Sequence, residues 1–301
     1  MGSIFDIINV PLGYLFRFIY MFIGNYGWAL VLFTLVTKAI LLPLSVKQQK
    51  SMSKMQKIQP KLAEIQKKYQ YDKEKLNQET MKLYQNNKIN PMGGCLPLLI
   101  QFPILIGLYN IIRNPLTYVM QLGKHGLPTI QEVLDVLSPL GFTGNANNQI
   151  PIADAMFHHS AELQAAFPSV NIQPIDFNFF GLNLSQTPTF TELTPLLLIP
   201  ILAGLTTFLS SWLTNKMNGT PKQSNSDNPM GNSMQMMTYF FPIMTIFISF
   251  SLPAGLGFYW ILSNIIQIAQ QYVLTNYFAH KPEEEPEKEH YREREQKRRK
   301  K

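Results

Sequence analysis

Five largely apolar stretches, at 24–46, 91–113, 193–214, 236–253 and 254–278, approach or exceed the length a helix needs to cross a bilayer. A hydrocarbon core of about 30 Å is crossed by about 20 helical residues. Hydrophobic content of 46% with 15% charged residues would suit a soluble domain, but a soluble core has no use for so many runs of this length. The alternating pattern of a membrane barrel is absent. The expected fold class is therefore an all-α integral membrane protein with five transmembrane helices.

The charges orient these helices. Formal net charge is +7, and the segment 47–90 carries Lys47, Lys50, Lys54, Lys57, Lys61, Lys67, Lys68, Lys73, Lys75, Lys82 and Lys88. In 114–192 the only Lys or Arg is Lys124, against Glu132, Asp135, Asp154, Glu162, Asp176 and Glu192. The positive-inside rule places 47–90, 215–235 and 279–301 in the cytoplasm, and the N-terminus and the loop 114–192 outside.

Residues 1–23 are apolar but include Asp6, Pro11 and Arg17, which suits a helix lying in the outer interface. A sixth span is the alternative. Met1 to Val10 has no basic run ahead of its apolar residues, so no cleaved signal is expected. Cys95 is the single cysteine, which leaves no intramolecular disulfide. His158 and His159 are adjacent but lack further ligands in view, and no metal or cofactor is expected.

Within 47–90, Met52, Met55, Ile58, Leu62, Ile65 and Tyr69 recur at helical spacing with lysines on the other faces. Pro60 predicts the start of a new helix. Asp72 is placed to cap a further helix carrying Leu76 and Leu83 and ending near Asn86 and Asn87, which makes a cytoplasmic hairpin. In the outer loop, 130–137 and 151–167 have weak helical patterns, and 177–184 is aromatic and suited to the interface. Residues 215–235 are rich in Asn, Ser and Gly and read as a polar loop.

Lys38 is the most informative side chain. It lies nine residues before Lys47, about 14 Å along a helix. An ammonium at that depth costs roughly 2.5–3.5 kcal/mol on insertion scales. No Asp or Glu lies within the apolar core of any span to pair with it. Water inside the membrane is the remaining partner, and a lysine that snorkels is the bland alternative. Candidate companions are Thr34, Thr37 and Ser45 beside it, Gln101 in the second span, and Thr206, Thr207, Ser210 and Ser211 in the third. In the fifth, Trp260, Ser263, Asn264, Gln267 and Gln271 share one face. Helix-to-helix glue is the competing role for the Ser and Thr. The spans hold no nucleophile with a base, no carboxylate pair and no phosphate loop, so an enzyme is not expected.

Four stretches carry a family resemblance: KINPMGGCLPLLIQFPILIGLYNIIR at 88–113, TLVTKAILLPLSVKQQKSMSKMQKIQPKLAEIQKKY at 34–69, FNFFGLNLSQTP at 177–188 and PAGLGFYWILSNIIQIAQQY at 253–272. Their content and order resemble the YidC, SpoIIIJ and mitochondrial Oxa proteins. The resemblance implies five helices around a hydrophilic groove, open to the cytoplasm and to lipid and closed on the outside. It implies a multi-pass protein of the bacterial plasma membrane that inserts and folds nascent membrane proteins, alone or beside the Sec translocon, in contact with ribosomes and lipids and without DNA. The family's groove arginine falls at Lys38, which keeps the charge and loses the bidentate fork, and its fifth-span tryptophan at Trp260. Ser210 and Ser211 stand where relatives often carry Gln. The early first span resembles the short, Gram-positive form, without that form's N-terminal lipoprotein cysteine.

The expected mechanism follows. A client meets Met52, Met55, Lys57 and Lys61 on the hairpin, then passes a polar or acidic tail into the groove near Lys38. Lys297, Arg298, Arg299, Lys300 and Lys301 are expected at rRNA phosphates, with lipid headgroups as the alternative. A solute transporter and a passive assembly scaffold are the rival functions.

Overall fold

The computed structural model describes residues 6–87, 89, 96–189, 191, 193–217 and 229–280. Cys95, the tail from 281 onward with Lys297, Arg298, Arg299, Lys300 and Lys301, and the side chain of Gln101 lie outside the described residues.

The chain opens with α1 (Asp6–Ile23) and turns sharply into α2 (Tyr26–Lys68). Gly24 ends α1 at φ +74°, a conformation that costs a glycine little, and its N–H returns to the Tyr20 carbonyl. Asn25 then adopts extended backbone, and its side chain accepts from the Trp28 N–H as the N-cap of α2.

At 43 residues, α2 carries both the first apolar run and the first arm of the hairpin. The helix start expected at Pro60 does not occur: α2 passes through Pro43 and Pro60 without interruption. Pro60 removes one helical hydrogen bond. Ile58 and Leu62, on either side of it, are buried, and that packing holds the two sides in line. The second arm, α3 (Lys73–Asn86), is capped by Asp72, which accepts from the Lys75 N–H, and Tyr84 and Ile89 close on Ile58.

Next come α4 (Leu96–Arg113) and a π-helical turn at Leu116–Met120. The outer segment contributes α5 (Ile130–Leu137), α6 (Gln149–His158) and α7 (Ser160–Ala166). The helix expected over 151–167 is thus broken at His159. A short hairpin follows, with β1 (Asn178–Phe179) antiparallel to β2 (Leu182–Asn183). Its two-residue turn places Phe180 at φ +49° and Gly181 at φ +78°, the left-handed pair that matches strand twist.

The last three helices are α8 (Leu198–Met217), α9 (Pro229–Ser249) and α10 (Ala254–His280). The polar loop expected over 215–235 is shorter than its composition suggested. α9 already begins at Pro229, since a proline's fixed φ suits the first helical position and its missing N–H costs nothing there. The expected boundaries at 193 and 253 shift likewise, with a 3-10 turn at Pro195–Leu197 leading into α8 and α9 ending at Ser249.

α10 packs along both α2 and α8, and α8 along α9. Thr238, Pro242, Thr245 and Ser249 form the buried stripe of α9, and Gly204 of α8 admits the Ile246 side chain where no Cβ could stand. Small residues at such a seam let backbones approach closely. α4 meets α2 and α10 only over short stretches and is held mainly by α1. Tyr26–Lys68 and Pro195–Met217 are long and apolar enough to cross a membrane; Ile7–Ile23, Phe102–Arg113 and Thr238–Ser249 are shorter apolar helices.

Candidate functional site

Burial is distributed unevenly along the bundle. In α2, the stretch from Tyr26 to Thr37 is densely buried, whereas no residue between Lys38 and Gln48 is buried. In α10 the buried residues are Ala254, Gly255, Leu256, Gly257, Tyr259 and Ser263, and none follows from Asn264 to Phe278. In α4, whose burial is described from Phe102 on, they are Gly107, Leu108, Ile111 and Ile112. One end of the bundle is therefore a packed core and the other is loose, and Lys38 stands at the border.

The packed end is finished by the segment around the β-hairpin. The N-termini of α2 and α10 each present backbone N–H groups that lack helical partners. Asp176 accepts from the Tyr26 N–H at 3.0 Å, Gln186 from Ala254 at 2.8 Å and Leu184 from Gly255 at 2.9 Å. Phe179 lies against Gly27, Trp28 and Phe258, and Phe177 against Tyr26. Sequence reasoning missed this role. The signal available was the alternation of Phe177 and Phe179 ahead of Gly181.

At the border, Lys38 Nζ reaches Gln267 Oε1 at 3.4 Å. Among the described residues no carboxylate lies at ion-pair distance from it. A hydrogen bond involving a charged group contributes about 1.5–3 kcal/mol at good geometry, and one long contact satisfies only one of the ammonium's three donors. The remainder calls for solvent, and Lys38 is half-buried rather than sealed.

The other expected residues separate into two groups. Asn264 donates to Thr207 Oγ1 at 2.8 Å and Thr206 Oγ1 at 3.3 Å, joining α10 to α8. Trp260 is half-buried against the core and Gln267 is exposed. Thr34 and Ser210 instead lie inside the helix packing, and the Thr34 hydroxyl donates to the Leu30 carbonyl of its own helix. On the hairpin, Met52 is half-buried, Met55 packs on the hairpin's own Ile58 and Tyr84 cluster, and Lys57 and Lys61 are exposed. A further polar cluster was not anticipated: buried Gln49 donates to Thr275 Oγ1 at 3.0 Å, and Gln271 donates to Gln49 Oε1 at 3.0 Å. It fastens α2 to α10 beyond Lys38. The residues His158 and His159 face Asp154 and Glu162 of neighbouring turns, and no metal-binding cluster occurs among the described residues.

The profile of a family described as 60Kd inner membrane protein matches residues 18–281. The chain belongs to that family. The match begins within the last turns of α1 and runs just past the end of α10, so it spans the elements from α2 to α10. A membrane protein insertase YidC from Fusobacterium nucleatum is 32% identical over 274 residues, covering 91% of this chain and 98% of that protein. Another from Caldanaerobacter subterraneus is 36% identical over 266 residues, covering 88% of this chain and 93% of that protein. A crystal structure of an active YidC insertase with its first transmembrane domain resolved superposes at TM-score 0.48, with 23% identity, over 90% of this chain and 47% of that one.

Proposed function

We propose that this chain is a membrane protein insertase, not an enzyme, that receives nascent hydrophobic segments from the cytoplasm and releases them into the bilayer. Relatives that it covers almost end to end bear the name of membrane protein insertase. One observation in the structure carries the mechanism: among the described residues Lys38 has a neutral amide and no carboxylate as its partner, at the border between the packed and loose ends of the bundle.

In this reading α2, α4, α8, α9 and α10 are five spans, with the hairpin and the C-terminus in the cytoplasm and α1 on the outer surface. The loose end is a hydrated groove facing the cytoplasm, lined by Lys38, Gln267, Asn264, Thr207 and Trp260, with Gln101 on the facing span. The β-hairpin closes the outer end. An acidic or polar client tail is attracted to Lys38, and water in the groove lowers the cost of burying it. The client's apolar surface then drives it sideways into lipid at about 25 cal/mol per Å² removed from water. No nucleotide enters the scheme.

The hairpin is the first contact, with Met52, Lys57 and Lys61 offered to the client. The terminal cluster Lys297, Arg298, Arg299, Lys300 and Lys301 contacts ribosomal RNA phosphates, so ribosome cosedimentation should fall when 280–301 is deleted and weaken as salt rises. The Sec translocon is a further partner.

The deciding experiment is reconstitution of the full chain in liposomes with a single-span client and an entrapped solute. Protease-protected client supports insertion. Solute flux without client protection would assign a transporter, and neither result would leave an assembly scaffold.

A further inference from the structure

A cavity of about 270 Å³ lies among α1, the π-helical turn and the outer segment, away from Lys38. Its walls include Arg17, Met21, Leu122, Leu127, Asn171 and Gln173, and no Asp or Glu lines it. The Arg17 guanidinium donates through Nη1 to the carbonyls of Val119 at 3.1 Å and Met120 at 2.8 Å. That fixes the side chain and leaves the donors on Nη2 and Nε without a hydrogen-bond partner among the described residues, where no carboxylate pairs with Arg17 either. Lys124, the one Lys or Arg of the outer segment 114–192, is exposed in the turn between Leu122 and Leu127.

The cavity adjoins an apolar surface. Ile7, Val10, Tyr14, Phe18, Met21 and Phe22 are exposed on α1 at steps of three and four, hence on one face. Met21 belongs to both the stripe and the cavity wall. A cation with two amide side chains, set in an otherwise apolar recess at the edge of an apolar helix face, has the chemistry of a phospholipid: a phosphodiester for the guanidinium, glycerol and headgroup hydroxyls for Asn171 and Gln173, and acyl chains for Phe18 and Phe22.

We propose that this cavity binds the headgroup of one outer-leaflet phospholipid, with Arg17 on its phosphate. The site anchors α1, and through Arg17 the turn that follows α4, to the membrane surface. It rests on the placement of α1 at the outer surface given above.

The test uses the full chain in phosphatidylcholine vesicles containing a phosphatidylglycerol with a photoreactive headgroup, the labelled peptides being mapped by mass spectrometry. Wild-type protein should be labelled at 17–21, 119–127 and 171–173. Arg17→Gln should reduce that labelling about tenfold, as expected for loss of one charge-assisted contact. Leu127→Trp, which fills the cavity and spares the Arg17 hydrogen bonds, should do the same with folding intact. Labelling unchanged in both variants overturns the site. So does wild-type labelling confined to Tyr14, Phe18 and Phe22. An α1 that takes no label anywhere overturns its placement at the outer surface as well.

Discussion

Lys38 Nζ and Gln267 Oε1 stand 3.4 Å apart, a cation and a neutral amide joined across α2 and α10 from positions 229 residues apart in the chain. The amide orients the ammonium without neutralising it. A carboxylate there would pair the charge and remove its attraction for a client's acidic tail; an aliphatic side chain would leave it reliant on snorkelling alone.

Charge at position 38 should therefore matter more than its shape. Lys38→Ala should lower insertion of a client with an acidic tail by about tenfold, the kinetic equivalent of ~1.4 kcal/mol. Lys38→Arg should preserve it. Protease protection in proteoliposomes measures both, and equal activity of the two variants would remove Lys38 from the mechanism.

Solvent should reach position 38 and stop short of the packed end. A cysteine replacing Lys38 should react with a membrane-impermeant maleimide added from the hairpin side, whereas Ala29→Cys, at a fully buried site nine residues earlier on α2, should stay unlabelled. Protection of both positions in folded protein would contradict a hydrated groove.

The outer closure depends on the absence of a side chain at Gly27. A Cβ there would stand 2.2 Å from the Phe179 ring and 2.7 Å from the Phe179 Cβ, so a rotamer change alone gives no relief. Gly27→Ala should cost about 1–3 kcal/mol, as overpacking does. The readouts are a lower Tm in detergent and new aqueous access to Ala29→Cys in the double variant.

The hairpin's second arm relies on its cap. Asp72→Ala should destabilise α3 by about 1 kcal/mol. Hydrogen exchange should show faster amides at Lys75 and in the first turn of α3, with the bundle unchanged.

The capping box of α5 predicts a pH response. Glu132 accepts from the Thr129 N–H and hydroxyl, which holds its carboxyl below the ordinary 4.5. A depressed folded pKa contributes stability above the unfolded value and loses it as pH falls through the folded one. Amide exchange in α5 should thus be constant from neutral pH down to about 4.5 after correction for intrinsic rates, then rise relative to Thr129→Ala, Glu132→Ala protein.

Much of the molecule was legible because its signals are local. The apolar runs, the cap at Asp72, the helix at Ile130–Leu137 and the α10 face bearing Asn264 and Gln267 all follow from residues within a few turns of one another. Pro60 misled for the same reason in reverse: its local preference against a helix interior yields to the packing of Ile58 against Tyr84 of α3, which no local window contains. Thr34 and Thr207 look alike in sequence, yet one is sealed in the core and the other receives Asn264.

By itself, the sequence determined which segments are helical, which of them are apolar enough for a bilayer, and that one lysine among them has no acid to pair with, since periodicity and composition are properties of a single segment. Tertiary structure decided which end of the bundle is packed and which partners meet. Tyr26 finds Asp176, Gly255 finds Leu184 and Lys38 finds Gln267 only once distant segments share a surface. The physical reason is that a helix satisfies its own interior backbone but not its ends or its polar side chains, and those take whatever the fold brings within hydrogen-bond reach.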